Sequence, residues 1–217
     1  LLSSRIVVIT PLTYLRGTTF VGMRSGPANQ YGRSAGPDLA SSLANLGFRI
    51  NRLKTGTPAR LDRDTIDYAS MKVQPGVHPA PLFSWAARHE AELFHVEQSP
   101  GVLRPWPPGS NQLPCYLTHT TPATHAIIAA NLSRSALYGG QISGTGVRYC
   151  PSIEDKIVKF PDKNSHHVFI EPEGRNTRLI YPNGTSNSFP EDVQEALLRS
   201  IPGLERSVIL QSAYAIE

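Results

Sequence analysis

A chain of 217 residues can hold one large domain, or one domain with a smaller one inserted into it. With 40% hydrophobic and 18% charged residues, its composition is that of a globular protein and excludes a disordered chain. The formal charge of +4 comes from scattered Lys and Arg with no basic block, which is compatible with a nucleotide or nucleic acid partner without requiring one.

Ile6–Thr10 reads as a short buried strand ended by Pro11. The stretch 17–36 is a Gly-, Ser- and Arg-rich loop with a strand near Thr18–Gly22, and Asp38 is placed to cap a helix that Gly47 stops. Phe48–Leu53 alternates apolar and polar residues and predicts a strand; Thr55-Gly56-Thr57 after it predicts a hydroxyl-rich turn between Lys54 and Arg60. That turn suits an anionic ligand, but a strand-end turn with solvated charges is the simpler account and is preferred, and the order of a P-loop is missing. Prolines are dense from Pro75 to Pro114, with one helix predicted over Trp85–Phe94.

Order returns at Cys115–Thr118, a predicted strand, and at Pro122, which starts a helix running to Leu132. Strands are predicted at Val168–Glu171 and Arg178–Tyr181, an amphipathic helix at Glu191–Ile201, and a single last strand over Arg206–Ile216. Strands and helices interleave without a βαβ rhythm, so the fold class is α/β of a mixed α+β kind. Residues 1–60 and 140–217 are expected to form one domain, with 61–139 as an inserted smaller domain. The longest apolar runs, around Ile6–Ile9 and Ala126–Ala130, are too short to cross a bilayer, so no membrane partner is expected. Strand-like sequence at both ends reads as a central segment of a longer protein.

Chemistry concentrates in 139–160, GGQISGTGVRYCPSIEDKIVKF. Gly139, Gly140, Gly144 and Gly146 allow a backbone to approach a phosphate, and Arg148 supplies a planar cation. Cys150 lies between Tyr149 and Pro151, and Ser152 can cap a helix carrying Glu154, Asp155 and Lys156; both the helix start and Arg148 would favour the thiolate. On residue types alone, a glycine-rich turn leading into an ordinary surface helix, with a buried Cys, is an equal alternative. The two cysteines, Cys115 and Cys150, make neither a disulfide framework nor a CxxC pair. Cys115, His119 and His125 do not complete a zinc-like set, so no metal site is expected. GxGxxG is missing.

LKTGTPAR at Leu53–Arg60, PCYLTHT at Pro114–Thr120, RYCPSIEDKIVKF at Arg148–Phe160, FIEPEG at Phe169–Gly174, YPNGTS at Tyr181–Ser186 and YAIE at Tyr214–Glu217 stand in this order in the MnmG (GidA) family, which the chain resembles from Ile6 onward. The resemblance implies part of a glutathione-reductase-like FAD domain interrupted by the insertion. It also implies an FAD- and NADH-dependent enzyme that adds a carboxymethylaminomethyl-type group to C5 of the wobble uridine of transfer RNA. A GTPase partner, a homodimer and a cytoplasmic (or, in a eukaryote, mitochondrial) location belong to the same implication. Carried onto this sequence, Gly32, Arg33 and Gly36 match a loop near the flavin. Gly146, Val147, Arg148, Tyr149, Cys150, Pro151, Ser152, Ile153, Glu154, Asp155, Lys156 and Phe160 match the nicotinamide-dinucleotide-associated stretch, with Val147 in place of the usual Pro. Cys150 matches a catalytic cysteine; a second one belongs to an N-terminal region outside this chain, as do the pyrophosphate fingerprint and, at the other end, the helical C-terminal region. Leu12 stands where the family has Gly. Two expectations follow: a segment of the tRNA-modifying enzyme, inactive by itself, or a truncated noncatalytic binding remnant of that family.

Overall fold

The computed structural model describes residues 3–11, 13–28, 39–93, 109–147 and 151–217. Eleven strands occur among them: β1 (Thr18–Val21), β2 (Arg24–Pro27), β3 (Leu53–Thr57), β4 (Arg60–Asp62), β5 (Lys72–Gln74), β6 (Cys115–His119), β7 (Thr145–Gly146), β8 (His167–Pro172), β9 (Leu179–Asn183), β10 (Ile209–Gln211) and β11 (Tyr214–Ile216). The helices are α1 (Leu39–Asn45), α2 (Trp85–Leu93), α3 (Pro122–Asn131), α4 (Ile153–Lys159) and α5 (Glu191–Arg199). The strands form a five-stranded sheet, ordered β2-β1-β11-β3-β7, and a six-stranded sheet, ordered β10-β4-β9-β8-β6-β5. Only the β3–β7 pair is parallel among them. The mixed α/β class expected from sequence is the one observed.

Local chemistry explains where several elements begin. Thr121 caps α3 by accepting from the Thr124 backbone N–H (3.2 Å) while Thr124 Oγ1 accepts from the Thr121 N–H (3.1 Å), a reciprocal box ahead of Pro122. In α5 the buried positions are Val193, Gln194, Leu197 and Leu198, one face of a helix whose first turn carries Glu191 and Asp192. That face packs with Ile128 of α3, Ile153 of α4 and Leu61, Val168, Ile170 and Ile180 of the six-stranded sheet into the main core. On β8 the alternation is strict: Val168 and Ile170 are buried while His167 and Phe169 face outward.

The two sheets are joined by a shared ribbon. β3 and β4 are separated only by Pro58 and Ala59, and β10 and β11 only by Ser212 and Ala213. Tyr214 opposes Thr57 in one sheet and Gln211 opposes Arg60 in the other, so both segments cross the gap side by side. At the crossing Ala213 has no ladder partner, and Gln194 of α5 replaces it. Its amide nitrogen donates to the Ala213 and Phe189 carbonyls (3.0 and 2.8 Å), and its oxygen accepts from the Ala213 N–H (2.7 Å). Arg60 braces the other segment, donating to Thr57 Oγ1, the Pro58 carbonyl and Glu173 while lying over the Tyr181 ring.

Several expectations are corrected. Ile6–Thr10 is not a strand: no described strand pairs with it, and Ile6, Val7 and Val8 are exposed. Of the alternating run Phe48–Leu53 only Leu53 lies in a strand, as the first residue of β3, and Thr55-Gly56-Thr57 is extended within β3, not a turn. The last predicted strand is two, in different sheets. Apart from these corrections, β5 and β6, which lie within residues 61–139, share one sheet with β8, β9 and β10.

Candidate cofactor-binding site

Val147 leaves β7 with its N–H bonded to the Lys54 carbonyl (3.1 Å), which holds the glycine-rich segment against β3. On the far side of residues 148–150, Ser152 caps α4 by accepting from the Asp155 N–H (3.1 Å), and the Ile153 N–H bonds to the Ser186 carbonyl (2.7 Å). Arg148, Tyr149 and Cys150 lie outside the described residues, as do Gly32, Arg33, Gly36 and Leu12. What is visible is a pair of anchors on either side of the cysteine, both seated on a crevice lined by Lys54, Gly56, Ser152, Ser186, Asn187 and Ser188.

Two buried ionic groups set the electrostatics there. The Lys54 side chain is only 2% exposed, with Nζ 3.9 Å from Asp155. Burial opposes ionisation of Asp155, yet Lys159, Lys54 and the Tyr138 hydroxyl together hold its carboxyl below the usual carboxylate range. Burial and the neighbouring Asp155 and Glu154 carboxylates push Tyr138 up to about 12. Glu154 is fully buried; its Oε1 accepts from the Ser188 N–H (2.8 Å), Ser188 Oγ (3.0 Å) and Ser135 Oγ (3.1 Å). It thereby ties α4 to the turn after α3 and to the segment before α5. Its Oε2 has no hydrogen-bond partner among the described residues.

Lys156 Nζ donates to the Gly184 carbonyl (3.1 Å), and burial lowers its pKa. Gly184, at φ +104, must be glycine: a Cβ there would lie 2.7 Å from the His167 carbonyl oxygen. Phe160 sits at the opposite end of α4 from Ser152 and is 54% exposed, so the structure does not bring it to the crevice. Pro151 is exposed and Ile153 is fully buried core, an anchor more than a ligand contact.

The phosphate cradle expected of the glycines is already engaged. The Gly144 N–H (2.5 Å) and Ser143 hydroxyl (3.0 Å) both reach Glu217 Oε1, so a carboxylate stands where an anionic oxygen would be received. Gly144 also packs against the Arg52 backbone, and Gly139 against the Ser133 and Ser135 carbonyls, while Gly146 has open space around it. Glu217, Ser135 and Ser188 were not singled out by sequence reasoning as site residues; Lys54 was, as a flank of Thr55-Gly56-Thr57, but not as the partner of Asp155.

The family model described as "Glucose inhibited division protein A" matches residues 1–217. The chain belongs to that family. The tRNA uridine 5-carboxymethylaminomethyl modification enzyme MnmG of Aquifex aeolicus is 47% identical over 214 residues, covering 99% of this chain and 33% of the relative. Its counterpart from Syntrophotalea carbinolica is 49% identical over 211 residues, covering 97% and 31%. The crystal structure of Aquifex aeolicus GidA in form I superposes with a TM-score of 0.75 at 47% identity, covering 94% of this chain and 32% of that one. This GidA-family chain thus spans about a third of the length of the relatives it matches. No helix among the described residues is long and apolar enough to cross a membrane.

Proposed function

We propose that this chain is the central part of an enzyme that modifies uridine in transfer RNA, adding a carboxymethylaminomethyl-type group to C5 of the wobble base with FAD and NADH. The observation that carries the reading is the anchoring of both flanks of residues 148–150 on one crevice at the pair of buried Lys54 and partly exposed Asp155. Relatives named for this modification align along nearly the whole chain.

The donors at Ser143–Gly144 fit an anionic group, since they converge on one carboxylate oxygen of Glu217, and the open space at Gly146 admits a close backbone approach. With Glu217 displaced, Ser143, Gly144 and Gly146 would hold the phosphate-bearing part of a dinucleotide, with the buried Lys54 beneath them adding positive charge. The flavin, when bound, supplies the hydride chemistry. The chain's own share is positional: Glu154 fixes α4 against its neighbours, Asp155 lies 3.9 Å from Lys54 Nζ, and Ser152 sets the helix start next to Cys150. In this reading Cys150 is the catalytic thiol, with Arg148 and the start of α4 favouring its thiolate. Gly32, Arg33 and Gly36 would border the flavin, within a dinucleotide domain that includes the five-stranded sheet. A GTPase partner, homodimer formation and a cytoplasmic location belong to the same proposal.

The test is complementation with the full-length protein. Expressed in a bacterium lacking the modification, it should restore the modified nucleoside in hydrolysed transfer RNA, detected by mass spectrometry, and Cys150→Ser should not. Failure of the unaltered protein to restore it, or full restoration by Cys150→Ser, overturns the reading or its catalytic assignment respectively.

A further inference from the structure

Away from the crevice at Lys54, a groove of about 250 Å³ opens along the core-facing side of the six-stranded sheet. Its floor is Ile170 and Ile180, both core residues. One wall is an aromatic pair, Tyr68 and Tyr116, whose rings lie 4.6 Å apart and tilted by 50°. Arg63, just after β4, and Arg175, in the turn between β8 and β9, also line it. Nothing in the proposed cofactor chemistry uses these residues.

We propose that this groove receives one unstacked nucleotide of a single-stranded RNA segment, its base against Tyr68 and Tyr116 and its phosphate met by Arg63 and Arg175. The inference rests on the reading of the chain as part of an RNA-modifying enzyme and adds a docking subsite to it. Proteins read single-stranded RNA by splaying out bases onto aromatic rings while cations track the backbone, and the groove supplies both. Its volume is below the roughly 300–1,000 Å³ of sites that enclose a whole small-molecule ligand, which favours one planar ring over a dinucleotide. Arg63 is half exposed and its partner Asp64 lies 3.7 Å away, a loose surface pair that a phosphate can replace with a bidentate contact. Arg175 donates to the Asn111 carbonyl, which fixes the guanidinium at the rim.

The test is fluorescence anisotropy of a labelled, unstructured RNA octamer with the full chain and three variants. Tyr68→Leu should bind roughly ten- to a hundredfold more weakly, the loss of one stacked base, whereas Tyr68→Phe should stay within about twofold. Arg175→Gln changes a surface turn outside the core. It should weaken binding and lower the slope of log affinity against log salt by about 0.7, as removal of one phosphate contact requires. The proposal is overturned if Arg175→Gln keeps both affinity and slope, if Tyr68→Leu folds and binds like the parent, or if the unaltered chain does not bind the octamer. It is equally overturned if NADH or AMP displaces the RNA more tightly than RNA binds, since the groove then belongs to a free nucleotide. Restored uridine modification in cells together with an unaffected Arg175→Gln sinks the groove alone. Tyr68-dependent RNA binding without any modification sinks only the broader function.

Discussion

Replacing Gln194 by Leu keeps the side-chain size and removes every polar atom that serves the ribbon where it passes between sheets. Three buried backbone groups lose their partner: the Ala213 N–H, the Ala213 carbonyl and the Phe189 carbonyl. A buried polar group left unmade costs about 1–3 kcal/mol. Shared relaxation and the added apolar contact of Leu bring the sum to about 3–5 kcal/mol, a large part of the roughly 5–15 kcal/mol that holds a domain folded. For a chain of this length each kcal/mol moves the midpoint by roughly 2–4 °C, so thermal melting followed by circular dichroism should show Tm lower by about 10 °C. Glu195→Ala is the matched control. Its pair with Arg199 (2.6 Å) is an exposed helical contact worth about 0.3–0.5 kcal/mol, which predicts a shift under about 2 °C. Gln194→Glu retains an acceptor for the Ala213 N–H but aims a carboxylate at two carbonyls, and should be at least as damaging as Leu. A Gln194→Leu protein that melts within about 2 °C of the parent would refute the assignment of Gln194 as the substitute for missing sheet partners.

Further outcomes can be checked directly. Burial lowers the pKa of His125, and burial together with His125, Lys156 and Lys163 lowers that of His166, whose ring lies 5.4 Å away. Below the ordinary value of 6.5 the unfolded chain therefore binds more protons than the folded one. Stability should be fully present above that pH and fall as the pH drops from there through the folded values; urea midpoints that rise on acidification would contradict this. Burial, reinforced by Glu171, raises the Cys115 thiol above 9.0, so Cys115 should alkylate slowly at neutral pH and Cys150 faster; equal rates by peptide mass spectrometry would remove the support for an activated Cys150. Because no GxGxxG fingerprint is in the sequence, the chain purified by itself should be colourless, and stoichiometric yellow flavin after gel filtration would overturn that expectation.

Legibility from sequence followed the range of the interactions. The helices starting at Pro122 and Glu191 were readable because a first-position proline and first-turn carboxylates act locally. The strands β6, β8 and β9 were readable because their alternation or turn chemistry is local. Ile6–Thr10 failed because an apolar β-branched run becomes a strand only if another strand is there to pair with it, and pairing is not written in the run itself. The same limit hid the division of 206–216 between two sheets, since its break at Ser212–Ala213 depends on Gln194, 19 residues earlier. At the site, the RYCPSIEDK stretch identified α4 and its Ser152 cap, but Glu154 finds Ser135 and Ser188 at separations of 19 and 34 residues. Asp155 likewise meets Lys54 across a hundred residues of chain, beyond the reach of any local pattern.

The shared ribbon also constrains how the protein can open. β4 pairs with β10 on one side of the gap and β3 with β11 on the other, with a register shift between Ile209 and Gln211, so detaching β10 from the edge of its sheet pulls on β11, the middle strand of the other. A local fluctuation that starts at Ile209–Leu61 is transmitted past Ala59 and Ala213 to Tyr214–Thr57. Amide hydrogens of the two sheets should then exchange through a single event with one opening free energy, not as two independently breathing units. With Gln194 stapling the midpoint, that event has to begin by detaching α5.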